Sequence, residues 1–226
     1  MGRIWTLAAA LMVAGAVSAI GNTYTWDGTT NNWNTTNHWI GSVLPSAGDT
    51  GIVNSGVAQM NAALTGSPTI VVNAGGTAVA TASIAVTNLV LNGGKLRING
   101  YGVVLGGTLN VQTDSWFQFE SGGSQGYKGL LSGAGGVSIT NTGGSTMNGG
   151  NYFSNNSSTG YTGNVHIYGS SGFHVRLDNS WALGSNNTVY VESNGTLAVN
   201  NANISRPVTL NGGTLAWLRT ATFTAR

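Results

Sequence analysis

A chain of 226 residues with a formal net charge of +2 and only 6% charged residues has no run of Lys or Arg to follow a phosphate backbone, which argues against a nucleic-acid partner. It contains no cysteine, so disulfide scaffolds, thiolate zinc sites and cysteine nucleophiles are excluded. Its polarity comes from Asn, Thr, Ser and 36 Gly, a mixture that suits turns and stacked strands and disfavours helices.

Residues 1–19 read as a secretory leader. Arg3 is the positive n-region, Ile4 to Val17 is almost wholly apolar, and Val17-Ser18-Ala19 offers small residues where a signal peptidase reads. Cleavage after Ala19 would start the mature chain at Ile20 and send it out of a bacterial cell, to be secreted or held at the surface. The apolar run is short for a membrane span, which needs about 20 residues.

Residues 20–58 differ in character from the rest of the chain. Trp26, Trp33 and Trp39 make up half of the tryptophans after Ala19, set among Thr, Asn and Gly. Repeat stacks need atypical end units, so this segment reads as a Trp-rich N-terminal cap. A second reading makes Tyr24, Trp26, Trp33 and Trp39 a sugar-stacking platform, because aromatic rings suit the apolar faces of sugars.

Residues 59–226 carry a repeating unit: two alternating apolar residues, a Gly-rich turn, two more alternating apolar residues. Ile70–Val72 leads through Asn73-Ala74-Gly75-Gly76-Thr77 to Ala78–Ala80. Leu89–Leu91 leads through Asn92-Gly93-Gly94-Lys95 to Leu96–Ile98, and Val103–Leu105 through Gly106-Gly107-Thr108 to Leu109–Val111. Later units are Val165–Ile167 with Phe173–Val175, Val189–Val191 with Leu197–Val199, and Val208–Leu210 with Leu215–Trp217. A side-chain period of two puts each pair on one face of a strand. Such a unit cannot bury its apolar face alone, so the repeat predicts a stack of coils, an all-β, right-handed, single-stranded parallel β-helix. An antiparallel meander is the rival, since Asn-Gly and Gly-Gly also mark hairpins. Asn73, Asn92, Asn194 and Asn211 precede turn glycines and are expected to hydrogen-bond up and down a ladder. Segment 120–163 is the least regular; Gly122-Gly123-Ser124 and Asn155-Asn156-Ser157-Ser158 read as loops.

The text from Leu131-Ser132-Gly133-Ala134-Gly135-Gly136-Val137 through Gly160-Tyr161-Thr162-Gly163-Asn164-Val165, Ala182-Leu183-Gly184-Ser185 and Asn194-Gly195-Thr196-Leu197 to Pro207-Val208-Thr209-Leu210-Asn211-Gly212-Gly213-Thr214-Leu215 resembles bacterial proteins with autotransporter-associated β-strand repeats. The opening Thr25-Trp26-Asp27-Gly28, Asn32-Trp33, Asn37-His38-Trp39 and Pro45 to Asp49 is similar to the start of such proteins. The resemblance implies a right-handed β-helix that is exported and displayed or released, and more often a passenger-type stalk or adhesin than an enzyme. Gly144-Ser145-Thr146-Met147 departs from the expected strand text. No outer-membrane barrel or sorting tail follows Arg226, so anchoring is expected to depend on a module outside this sequence.

Chemistry is sparse. The carboxylates are Asp27, Asp49, Asp114, Glu120, Asp178 and Glu192. Asp178 and Glu192 are too close in sequence for one coil step unless a turn is compact, and Glu192 reads as a solvent-facing strand residue. His166 and His174 alternate with inward apolar residues and read as surface histidines rather than metal ligands. No catalytic, cofactor-binding or metal site is expected, and no cofactor. The leading expectation is a non-enzymatic surface stalk or adhesive segment with glycans or a neighbouring cell surface as partner. A carbohydrate-binding module is second, and a β-helical polysaccharide-degrading enzyme third.

Overall fold

The computed structural model describes residues 21–120, 123–142, 150–155, 157–169, 173–219 and 222–223. The expected leader, with its cleavage after Ala19, lies outside them, as does the departure at residues 144–147.

Alternating apolar residues separated by tight turns give a strand on each side of every coil, and the strands collect into two main parallel sheets. The first holds β1 (Thr23–Thr25), β3 (Thr50–Val53), β5 (Thr69–Asn73), β7 (Ile84–Asn92), β9 (Val104–Thr113), β11 (Gly126–Tyr127), β14 (Asn151–Phe153), β16 (Val175–Leu177), β18 (Thr196–Val199) and β21 (Thr214–Trp217), in that spatial order. The short strand β12 (Leu130–Ser132) also lies against β9. The second sheet holds β2 (Thr30–Asn32), β4 (Gly56–Met60), β6 (Gly76–Ala80), β8 (Lys95–Ile98), β10 (Ser115–Phe119), β13 (Val137–Asn141), β15 (Val165–Ile167), β17 (Val189–Glu192) and β20 (Val208–Asn211). A short pair, β19 (Asn203–Ile204) with β22 (Thr222–Phe223), stands apart. Every pairing between these strands is parallel and joins successive coils, as in Leu91 beside Val72 and Val111, or Leu96 beside Ala78 and Phe117. A meander would pair its neighbours antiparallel. The chain is a β-solenoid.

The core runs between the two sheets. Leu89, Leu91, Leu96 and Ile98 are buried, as are Val165, Ile167, Val189 and Val191. Ile52 of β3 pairs with Val71 and Tyr24 of β1 with Gly51, so the Trp-rich segment and the repeats form one continuous ladder.

Two expectations need revision. Val103–Leu105 and Leu109–Val111 do not flank a turn, because residues 104–113 form the single strand β9. Leu105 lies beside Ile84 and Leu109 beside Leu89, with a register shift between them where Gly107 adopts a φ of +95°. Segment 120–163, the least regular stretch of the sequence, still carries β11, β12, β13 and β14, which continue the solenoid through it. The predicted Asn ladder is half right. Asn73 donates Nδ2 to Asn54 Oδ1 at 2.7 Å and Asn92 donates to Asn73 Oδ1 at 3.0 Å, after which Thr113 Oγ1 donates to Asn92 at 3.2 Å. Asn194 instead takes a left-handed turn position at φ +62°, and Asn211 stands beside Glu192.

The reason is a change of phase. In the first half, the tight Asn-Gly-Gly corner after Asn92 carries the chain from the first sheet to the second. The tight corner after Asn211 carries it from the second sheet to the first. The same text therefore closes opposite edges of the solenoid, and its asparagines cannot share one ladder.

A few polar groups are sealed inside. Burial pushes the Tyr127 phenol up; its hydroxyl donates to Leu130 O at 2.9 Å. Burial, with the Asp114 charge behind it, does the same to Tyr161, which donates to Gly135 O at 3.0 Å. Arg206 is buried too, and desolvation pushes its guanidinium down to about 10. Unfolded tyrosines ionise near pH 10. The stability these two contribute is therefore complete below about pH 10 and is lost as pH rises, at up to about 1.4 kcal/mol per pH unit for each. Arg206 acts in the opposite sense, because its buried charge opposes folding below about pH 10 and is relieved above it. Two phenols outweigh one guanidinium, so urea denaturation should give a midpoint that falls between about pH 10 and 11. Tyr161→Phe should make that fall shallower; a midpoint that rises with pH would contradict this reading.

Candidate functional site

The outward positions of the second sheet carry the most distinctive surface. Each alternates with an inward apolar residue, so the parallel register sets them in rows along the solenoid axis. Lys95, Trp116, Ser138, His166, Tyr190 and Thr209 form one row. The small Ser138 leaves a gap between the large rings on either side of it.

Those rings associate. His166 stacks on Tyr190 with centroids 4.6 Å apart and planes 9° apart, and its Nδ1 lies 2.8 Å from Glu192 Oε1. Tyr168, next along the strand direction, lies 6.2 Å from His166 at an interplanar angle of 16° and 6.2 Å from Trp116 at 31°. Trp116 is 45% exposed and Tyr168 41%, so both keep much of their surface in water.

Beside Tyr168 lies an open cleft of about 400 Å³, lined chiefly by polar groups: Asp114, Ser138, Thr162, Asn164 and His166. Asp114 Oδ1 accepts the Gly136 N–H at 2.8 Å, and Asn164 Oδ1 accepts from Thr188 N at 3.3 Å. On the other side of Trp116 is a depression of about 310 Å³ over Gly75, Gly76, Gly93 and Gly94, with Thr77 and Lys95 at its border.

Of the two readings of the N-terminal aromatics, the sugar-stacking platform is not on the surface. Trp26, Trp33 and Trp39 are 2%, 1% and 1% exposed and belong to the core. Each indole N–H is directed to a backbone oxygen: Trp26 to Thr29, Trp33 to Ala62 and Trp39 to Trp33, at 2.9, 2.6 and 2.7 Å. Trp26 meets Trp39 edge-on at 5.2 Å, and Tyr24 packs half-buried against the same core. The three indoles have no free face for a sugar, because they fill the interior of the first coils.

The carboxylates are all engaged locally. Ser46 N and Oγ and Asn22 N donate to Asp49, and those hydrogen bonds hold its carboxyl below the usual range. Desolvation opposes ionisation of Asp27, but hydrogen bonds from Thr29 and the His38 ring outweigh it and hold its pKa down. Glu120 pairs with Arg97, Asp178 with Arg176 at 2.7 Å and Glu192 with His166. Asp178 follows β16 of the first sheet while Glu192 ends β17 of the second, so the two are not a catalytic pair. His166 and His174 likewise belong to different sides of the coil, on β15 and just before β16. Among the described residues, no three His, Cys, Asp or Glu side chains gather as a metal-ligand set.

Compared with protein-family models, curated proteins and solved structures, the chain matches none of them. The fold and its surface therefore carry the functional reading. The row of Trp116, His166 and Tyr190 is hidden in the sequence because it depends on coil lengths. Trp116 reaches Ser138 after 22 residues, Ser138 reaches His166 after 28, and His166 reaches Tyr190 after 24. An irregular step hides the row; only the alternation around each ring marks it as outward.

Proposed function

We propose that this chain is a rigid, non-enzymatic segment of an exported protein, acting as a stalk or adhesive element at or beyond the cell surface. The observation that carries this reading is the pair of long parallel ladders whose carboxylates all serve local structure. A solenoid of this kind holds its outward side chains at fixed spacing without needing a cavity or a moving part. Its low charge and hydroxyl- and amide-rich surface fit an element meant to touch other surfaces. The likeness of its turns to autotransporter-associated repeats, together with the leader at residues 1–19, supports export. Glycans or a neighbouring cell surface are the corresponding partners.

Expression of the full chain in a bacterial host tests export. The expected result is a product outside the cytoplasm whose N-terminal sequence begins at Ile20. Cytoplasmic protein retaining residues 1–19 would overturn the proposal.

A further inference from the structure

The depression bordered by Trp116 and the cleft beside Tyr168 both lie along the second sheet. One rests on the glycines at the starts of β6 and β8, and the other on residues beside and within β13 and β15. With β10 between them they span five neighbouring strands of the second sheet. At about 4.8 Å per strand, four steps make a track of roughly 19 Å along the axis.

We propose that this track is a binding groove for a linear, uncharged polysaccharide lying along the solenoid axis. The proposal rests on the adhesive half of the proposed function and names its ligand. Three features select that chemistry. Trp116 and Tyr168 stand up from the face with much of their surface in water, and ring carbons of this kind suit the C–H faces of pyranose rings. Around them, the Ser138 and Thr162 hydroxyls, the Asn164 amide and the second oxygen of Asp114 supply mixed donors and acceptors for sugar hydroxyls. The glycines at 75, 76, 93 and 94 keep the other depression clear of side chains, so an extended chain can pass beside Trp116. Lys95 and Asp114 are the charged residues of the track, one of each sign. That balance favours a neutral glycan over an acidic one.

The groove also explains why Ser138 stands in a row otherwise rich in large side chains: a bulky residue there would fill the cleft beside Tyr168.

Affinity electrophoresis of the purified full chain tests the proposal, using gels that each contain one polysaccharide: a linear glucan, a mannan, a xylan, or acidic alginate and polygalacturonate. The expected result is retardation by at least one neutral polymer. Trp116→Ala and Tyr168→Ala should each weaken that retardation by about tenfold, the loss of one stacking contact together with its buried area. Tyr101→Ala, at an 86% exposed ring outside the track, should leave it unchanged. Thermal unfolding of all three variants should match the parent, which separates lost binding from lost structure. Retardation by the acidic polymers alone, no retardation by any neutral polymer, or equal binding by the parent and both groove variants would each overturn the groove. None of these results bears on whether the chain begins at Ile20 after export, so the two proposals fail separately.

Discussion

Phe153→Ala should lower the folding free energy by about 3–5 kcal/mol, the usual cost of deleting a buried phenyl ring and leaving a cavity. Phe153 is fully buried in β14, where it meets Phe117 at 5.2 Å, Phe119 at 5.9 Å and Tyr127 at 5.8 Å. Phe117 and Phe119 also contact each other at 5.1 Å, and Phe117 meets Tyr127 edge-on at 5.8 Å. Four rings from β10, β11 and β14 thus fill the middle of the solenoid, and three rigid rings cannot collapse into the space left by the fourth. Because each coil touches only the next, a void here weakens the attachment between the two halves of the stack. Urea denaturation read by far-UV circular dichroism measures the loss. A change below about 1 kcal/mol would mean that the four rings do not form one packed cluster.

Gly94→Ala should cost about 2–3 kcal/mol, a large effect for one methyl group. A Cβ at this position would stand 2.4 Å from Val72 O and 2.6 Å from Val72 Cγ1. The first contact is with the backbone of the previous coil, so relief requires the coils to separate and their ladder bonds to stretch. Gly160 provides the control. Nothing lies within 4 Å of a Cβ built there and its φ is not positive, so Gly160→Ala should be neutral or raise stability by about 0.4–1 kcal/mol through the unfolded chain. Equal unfolding midpoints for the two variants would refute the close approach of the coils at Gly94.

The Asn92-Gly93-Gly94 corner also shows what can be read from sequence alone. Leu89, Leu91, Leu96 and Ile98 are legible because a period of two survives on both sides of it, and the stack follows from the small size of each unit. Strand text does not say which sheet it belongs to, so the switch of the tight corner from one edge to the other is hidden, and with it the fate of Asn194 and Asn211. Gly106-Gly107 looks like another corner but lies within β9, where it accommodates a register shift. Trp26, Trp33 and Trp39 are ambiguous because an aromatic ring serves a core and a sugar equally well. Only the enclosing coil distinguishes the two roles. β11 and β14 escape notice because Gly126, Tyr127 and Asn151 lack the aliphatic signature of the other strands, although they occupy equivalent places.

The migrating corner has a practical consequence for peptide insertion. Connections from the second sheet to the first are roomy early in the chain, as at residues 99–103, and tight late, as at 193–195. Connections from the first sheet to the second behave in reverse, tight at 93–94 and roomy at 178–188. Guest sequences placed after Gly102 and after Ser185 would therefore emerge from opposite flanks of one rod. A single chain offers attachment points for two different cargoes on opposite edges, with the aromatic track on the face between them left uncovered.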